Sequence, residues 1–203
     1  MYPSVKSFCE SIIKDFVYIP DERKVILTKI SSYVKNQLTD KKSVRLIYIC
    51  THNSRRSHLG QVWAAVAARY YNVKNVHIFS GGTEVTAFNS NAINALKRLG
   101  FQIEKLSSGN NPLYQVSYSG EEYVNCFSKV YADAGNPAEN FGAIMTCTDA
   151  DEKCPVVTGA DIRISTPYQD PKIMDGTAIQ DIEYDNRCRQ IALECLFVFS
   201  QVT

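Results

Sequence analysis

One stretch limits what this chain can fold into. Leu46-Ile47-Tyr48-Ile49 is an apolar run with the length and β-branched content of a buried strand, and it ends in Cys50. Past a short polar segment, Leu59, Val62, Trp63, Val66 and Tyr70 recur at helical spacing. The order is strand, polar loop, helix, with a cysteine where the strand hands over to the loop. Further on, strand-length apolar runs alternate with helical patterns, which predicts a parallel sheet covered by helices.

The handover position changes the chemistry of a thiol. A helix N-terminus presents unpaired N–H groups and the positive end of its dipole, and a turn of successive N–H groups adds a concave donor surface. Both favour thiolate over thiol and hold a tetrahedral oxyanion against the sulfur. Arg56, six residues after Cys50, supplies the planar two-pronged donor that phosphate-like anions need, and Ser57 offers a hydroxyl to the thiolate. A Cys and an Arg at this spacing are a modest signal in a chain with seven cysteines, but only Cys50 has both the arginine and the preceding strand. Cys50 is therefore the candidate nucleophile, and Thr51, His52, Asn53, Ser54, Arg55, Arg56 and Ser57 are the candidate oxyanion-binding residues.

These residues resemble the Cys-x5-Arg-Ser loop of the low-molecular-weight protein tyrosine phosphatase superfamily and, within it, of the thioredoxin-coupled arsenate reductases. Asn53 matches the asparagine typical of that loop, and Ser80-Gly81-Gly82-Thr83-Glu84 resembles the superfamily's second strand-helix unit. The resemblance implies an α/β three-layer sandwich around a four-stranded parallel sheet. It also implies cysteine chemistry without a cofactor, on arsenate, phosphate or a phosphorylated substrate. The sequence departs from the pattern at His52, where glycine is usual, and at Arg55, where many members carry a second cysteine.

In chain order, residues 1–43 read as a helical extension that the resemblance does not cover. Phe8, Ile12, Ile13 and Phe16 mark a first helix, and Pro20-Asp21 opens a second that carries Val25, Ile26, Ile30, Tyr33, Val34 and Leu38. Residues 44–203 read as the phosphatase-like domain. A strand over 76–80 runs into Gly81-Gly82, where the backbone has to pass closely by a neighbour. A helix over 90–99 is stopped by Gly100. The aromatic-rich stretch 110–141 contains a predicted helix over 122–132. Strands over 143–147 and 162–164 and a helix over 179–202 complete the pattern.

Two further constellations bear on chemistry. Cys147 ends a predicted buried strand, and in a parallel sheet that end shares the ligand-binding edge with Cys50. The run Cys147-Thr148-Asp149-Ala150-Asp151-Glu152-Lys153-Cys154 resembles the redox segment of the arsenate reductases, which implies a thiol relay from Cys50 through Cys147 to Cys154 with thioredoxin as reductant. Asp170-Pro171 resembles the superfamily's general-acid loop; an acid there would protonate the oxygen that leaves the tetrahedral centre. A plain turn is the competing reading for the dipeptide, as inert core packing is for the cysteines.

Composition excludes some classes. A net charge of +1 with both signs mixed along the chain carries no nucleic-acid footprint. No run of 18 apolar residues is present and residues 1–6 lack a secretory apolar core, so a membrane partner is not expected and a cytoplasmic location is. His52, His58 and His77 have no ligand spacing, so no metal is expected. The resemblance to the arsenate reductases, some of which bind potassium near the loop, implies an acidic residue where Gln61 stands, and that ion is not assigned either. Three functions remain open from sequence: an arsenate reductase, a phosphatase working through a phosphocysteine, and a module that binds phosphorylated ligands without turnover.

Overall fold

The computed structural model describes residues 1–153 and 156–202, so Cys154 lies outside the described residues. Two helices, Pro3–Ile12 (α1) and Asp21–Thr39 (α2), joined through a 3-10 turn at Ile13–Tyr18, precede strand Val44–Cys50 (β1). Helix Arg56–Tyr70 (α3), strand Val76–Gly82 (β2) and helix Ser90–Arg98 (α4) follow. Three short strands come next: Gln102–Lys105 (β3), Tyr114–Ser117 (β4) and Tyr123–Cys126 (β5). The chain closes with strand Phe141–Met145 (β6), helix Thr148–Lys153 (α5), strand Ala160–Ser165 (β7), a 3-10 turn at Pro171–Met174 and helix Gln180–Ser200 (α6).

The main sheet is the expected four-stranded parallel one, in the order β2-β1-β6-β7. Its central strand shows why its sequence is apolar throughout. Leu46 and Tyr48 point to one face and pack with Trp63, Leu59 and Phe199, while Ile47 and Ile49 point to the other and pack with Phe141, Ala143 and Met145. Side chains alternate at period two, so a strand covered on both faces has no polar position to spare. Both β1 and β6 end at the same edge, where Thr146 donates its N–H (2.7 Å) and its hydroxyl (2.8 Å) to the Ile49 carbonyl. That edge carries the cysteines.

The N-terminal extension is part of the larger core. Val5, Cys9, Ile12, Leu27, Ile30 and Val34 are buried in the cluster that also holds Trp63 and Phe199. Two ion pairs, Arg23 with Glu194 and Arg189 with Asp15, join it to α6.

The helix expected over 122–132 is not formed. β5 is the outer strand of a separate antiparallel sheet, β3-β4-β5, with Cys126 opposite Tyr114 and Val124 opposite Val116. Tyr123, Phe127 and Tyr131 lie at four-residue intervals and mimic a helical stripe, but burial alternates from exposed Tyr123 and Asn125 to covered Val124 and Cys126. That alternation is the strand period, and pairing with β4 decided the outcome.

Candidate active site

Cys50 is the last residue of β1 and Arg56 the first of α3, so the polar loop between them spans a strand end and a helix start as the sequence indicated. The loop is fixed by its own buried side chains. Asn53, fully buried and at a positive φ of 43°, donates its amide to Ser57 Oγ at 2.9 Å, and its Oδ1 accepts the Lys129 N–H at 2.9 Å. Ser57 Oγ lies 3.0 Å from Cys50 Sγ. Since Asn53 occupies a lone pair of that hydroxyl, the serine proton is free to point at the sulfur.

The neighbouring segment is clamped against this loop. Thr83 and Glu84 donate their N–H groups to the Thr51 carbonyl at 2.8 Å each, Asn89 donates to the Ser54 carbonyl at 2.9 Å, and Ser128 and Thr86 hydroxyls donate to the His52 carbonyl at 2.9 and 3.0 Å. Gly82 makes the clamp sterically possible: a Cβ there would stand 2.6 Å from the Thr51 carbonyl oxygen and 2.7 Å from the Asn53 nitrogen. The close approach expected at Gly81-Gly82 is thus against the loop between β1 and α3, and against Tyr131 on the Gly81 side.

Arg56 is 9% exposed and partly engaged. Its Nη1 donates to the Tyr168 carbonyl at 2.8 Å and its Nη2 to Asp170 Oδ2 at 2.7 Å, while the buried Nε has no partner. Asp170 Oδ1 accepts the Lys172 N–H at 3.1 Å and lies 3.9 Å from Arg55 Nε. The Asp-Pro loop therefore meets the arginine directly. Other loop side chains turn away: Arg55 donates to the Tyr184 hydroxyl at 2.9 Å, His52 faces Glu84 at 3.4 Å, and Ser54 donates to the Ala87 carbonyl at 2.7 Å. What these three can offer an anion is backbone N–H.

Cys147 follows β6 and is 1% exposed, with the Thr51 hydroxyl 3.5 Å from its sulfur. The residue next to Cys50 thus touches the second thiol. The six described cysteines are all free. The sequence-based relay also needs Cys154, which lies outside the described residues.

No protein-family model matches the chain. An arsenate reductase of Bacillus subtilis is 25% identical over 144 residues, which are 71% of this chain and 86% of that protein. A low-molecular-weight protein tyrosine phosphatase of T. tengcongensis superposes with a TM-score of 0.53 at 14% identity, covering 78% of this chain and 99% of its own. An arsenate reductase in a phosphate-binding state superposes at 0.51 with 16% identity, covering 79% and 99%. The fold is that of the low-molecular-weight phosphatases.

On this low-molecular-weight phosphatase fold, several residues that shape the site carry no motif. Tyr168 holds Arg56 by a backbone carbonyl, an interaction no side-chain pattern announces. Its own ring is buried, and its hydroxyl, whose pKa burial and then Glu194 push well above the ordinary value, donates to Glu194 at 2.8 Å. His58 stacks on Phe88 with ring centroids 4.3 Å apart and stays neutral, because burial and then the nearby Lys129 charge push its pKa well below the usual imidazole value. A cavity of about 600 Å³ opens beside the loop, lined among others by His52, Arg55, Phe88, Lys105, Tyr114 and Lys172. Lys105 and Tyr114 come from the antiparallel sheet β3-β4-β5.

Proposed function

We propose that this chain is a cysteine-dependent oxyanion enzyme that reduces arsenate, with Cys50, Cys147 and Cys154 as the relay and thioredoxin as the reductant. The observation that carries this reading is the pairing at one sheet edge of a serine-supported cysteine, Cys50, with a second buried thiol, Cys147, that touches the same loop. A phosphatase needs only the first. The likeness to an arsenate reductase over 86% of that protein supports the same reading.

The steps follow from the residues. Arsenate takes the loop N–H groups and the Arg56 guanidinium, displacing Asp170 from Arg56 Nη2, and the released carboxyl facing a dianion gains a proton. The Cys50 thiolate attacks arsenic, an S–As bond forms, and hydroxide leaves as water with the Asp170 proton. The Cys147 thiolate then attacks Cys50 Sγ; the S–As electron pair passes to arsenic, and arsenite departs as a Cys50–Cys147 disulfide forms. Cys154 attacks Cys147, Cys50 is released as thiolate, and thioredoxin reduces the Cys147–Cys154 disulfide. Free thiols throughout the described residues fit a reducing, cytoplasmic setting.

The phosphatase reading has one observation of its own. An inorganic oxyanion leaves the 600 Å³ cavity empty, whereas an organic phosphate would seat its body against Phe88 and Tyr114 with its charge near Lys105 and Lys172. A paired assay of one preparation separates the readings: arsenate with thioredoxin, and an aryl phosphate without it. We expect both to react, since both begin with attack by Cys50, with arsenate reduction lost in Cys147→Ser and aryl phosphate hydrolysis kept. Hydrolysis by itself excludes a module that binds without turnover. Inertness toward both substrates would overturn the enzyme reading.

A further inference from the structure

We propose that Arg23, in the N-terminal extension, is a positioning residue for the oxyanion site, holding Arg56 through Glu194 and Tyr168. The extension lies outside the family resemblance, which gives it no role, and the proposal rests on the reading of Arg56 as an oxyanion ligand.

The chain of contacts is short and buried. Arg23 donates from Nε and Nη2 to one oxygen of Glu194, at 3.0 and 2.7 Å, and both side chains are largely covered, at 15% and 5% exposure. The same Glu194 oxygen accepts the Tyr168 hydroxyl at 2.8 Å, and the Arg23 guanidinium carbon sits 4.9 Å from the centre of the Tyr168 ring. The tyrosine is thus gripped at its hydroxyl and on its face by two charged groups that hold each other in place. Gln190 completes the set by donating to the other Glu194 oxygen at 3.2 Å.

Tyr168 matters because of what its backbone does. It lies between β7 and the 3-10 turn at Pro171–Met174, outside any named helix or strand. Its carbonyl accepts Arg56 Nη1 at 2.8 Å, its N–H donates to the Thr146 carbonyl at 3.1 Å, and two residues on Asp170 takes Arg56 Nη2. When an anion displaces Asp170, the Tyr168 carbonyl is the hydrogen-bond partner left to the guanidinium among the described residues, so the ring anchor decides whether Arg56 keeps its aim. An arginine held by one carbonyl needs that carbonyl fixed.

The test uses the full chain and inorganic phosphate as the binding probe, measured by calorimetry, alongside kcat/KM on an aryl phosphate. Arg23→Ala should weaken phosphate binding and lower kcat/KM by about tenfold, the scale of one misaligned charge-assisted hydrogen bond. Arg23→Lys, which keeps the charge but loses the fork and the ring contact, should fall between that variant and the wild type. In an Arg56→Lys background the Arg23→Ala loss should shrink to about twofold or less, because both act on one contact. Asp15→Asn breaks the other extension ion pair, the one with Arg189, and should leave phosphate binding and kcat/KM unchanged.

If Arg23→Ala does not fold, Arg23→Lys and Glu194→Gln carry the same comparison, with thermal melts confirming a folded state. Equal phosphate affinity in folded Arg23 variants and wild type, or a loss that multiplies undiminished with Arg56→Lys, overturns the positioning role. A wild-type protein that neither binds phosphate nor cleaves the ester overturns the oxyanion reading instead.

Discussion

Adding one methyl group at Gly82 tests how tightly the loop between Cys50 and Arg56 is set. A Cβ at this position would lie 2.6 Å from the Thr51 carbonyl oxygen, 2.7 Å from the Asn53 nitrogen and 2.7 Å from the Glu84 carbonyl oxygen, all backbone atoms. Close carbon-oxygen contacts run at about 3.3 Å or more, so the loop or β2 has to give by roughly 0.6 Å. β2 is poorly placed to retreat: Gly82 donates its N–H to the Lys129 carbonyl at 2.8 Å and accepts the Tyr131 N–H at 2.9 Å. The loop therefore moves, and with it the N–H groups to which the proposed function assigns the anion. Overpacking of this kind costs about 1–3 kcal/mol of stability, and because a 1 Å misplacement can cost about a hundredfold in rate, we expect Gly82→Ala to lose roughly tenfold or more in kcat/KM. Chemical denaturation and aryl phosphate kinetics measure the two effects, with Gly120→Ala, where a Cβ meets open space, as the control. A folded Gly82→Ala protein with wild-type phosphate affinity and turnover would refute the loop-clamping argument.

Further outcomes follow from the same geometry. Burial pushes the Cys9, Cys126, Cys188 and Cys195 thiols up to about 12, so iodoacetamide at pH 8 should spare these four in the folded protein and label them after unfolding, as peptide mapping would read. His58 stays neutral when folded but takes a proton near pH 6.5 when unfolded, so its contribution to stability is present above that pH and is lost as pH falls. Denaturation curves should show about 1.4 kcal/mol less stability at pH 5.5 than at 7.5 from this group, a difference missing in His58→Phe. Asn53→Ala and Asn53→Gly both remove the bonds to Ser57 and Lys129, but at a positive φ alanine should cost about 1 kcal/mol more than glycine; equal stabilities would contradict the strained loop geometry.

What the sequence revealed follows from how each feature is encoded. β1, its loop and α3 were legible because a fully apolar strand and a helical stripe are both local patterns, and Cys50, Arg56 and Ser57 lie within eight residues of one another. The placement of Cys147 at the Cys50 edge was legible through the rule that parallel strands share an edge, although β6 stops at Met145 rather than at the cysteine. β5 was misread because Tyr123, Phe127 and Tyr131 carry a helix-like spacing, while the decisive partner, β4, is a non-local one. The grip of Tyr168 on Arg56 was invisible because a carbonyl has no residue signature, and Arg23 was invisible because its partner Glu194 is 171 residues away. The contacts of Asp151 were equally hidden: it pairs with Arg163 and accepts the Ser165 hydroxyl at 2.6 Å, both partners lying on β7.

The most direct test of the account is a map of thiols after arsenate exposure. α5 is helical from Thr148 to Lys153. At about 1.5 Å rise per residue a helix keeps cysteines seven apart at roughly 10 Å between Cα atoms, whereas a disulfide tolerates only up to about 7 Å. On the proposed relay we therefore expect a Cys147–Cys154 bond to form with α5 unwound and the Asp151 contacts with Arg163 and Ser165 broken. Reduced protein treated with arsenate should yield arsenite, a Cys147–Cys154 disulfide in the peptide map, and faster amide exchange confined to residues near 148–153. Cys154→Ser should stop at a Cys50–Cys147 disulfide. Thiols that remain free after arsenate exposure, with arsenate turnover undiminished in Cys147→Ser, would contradict the relay.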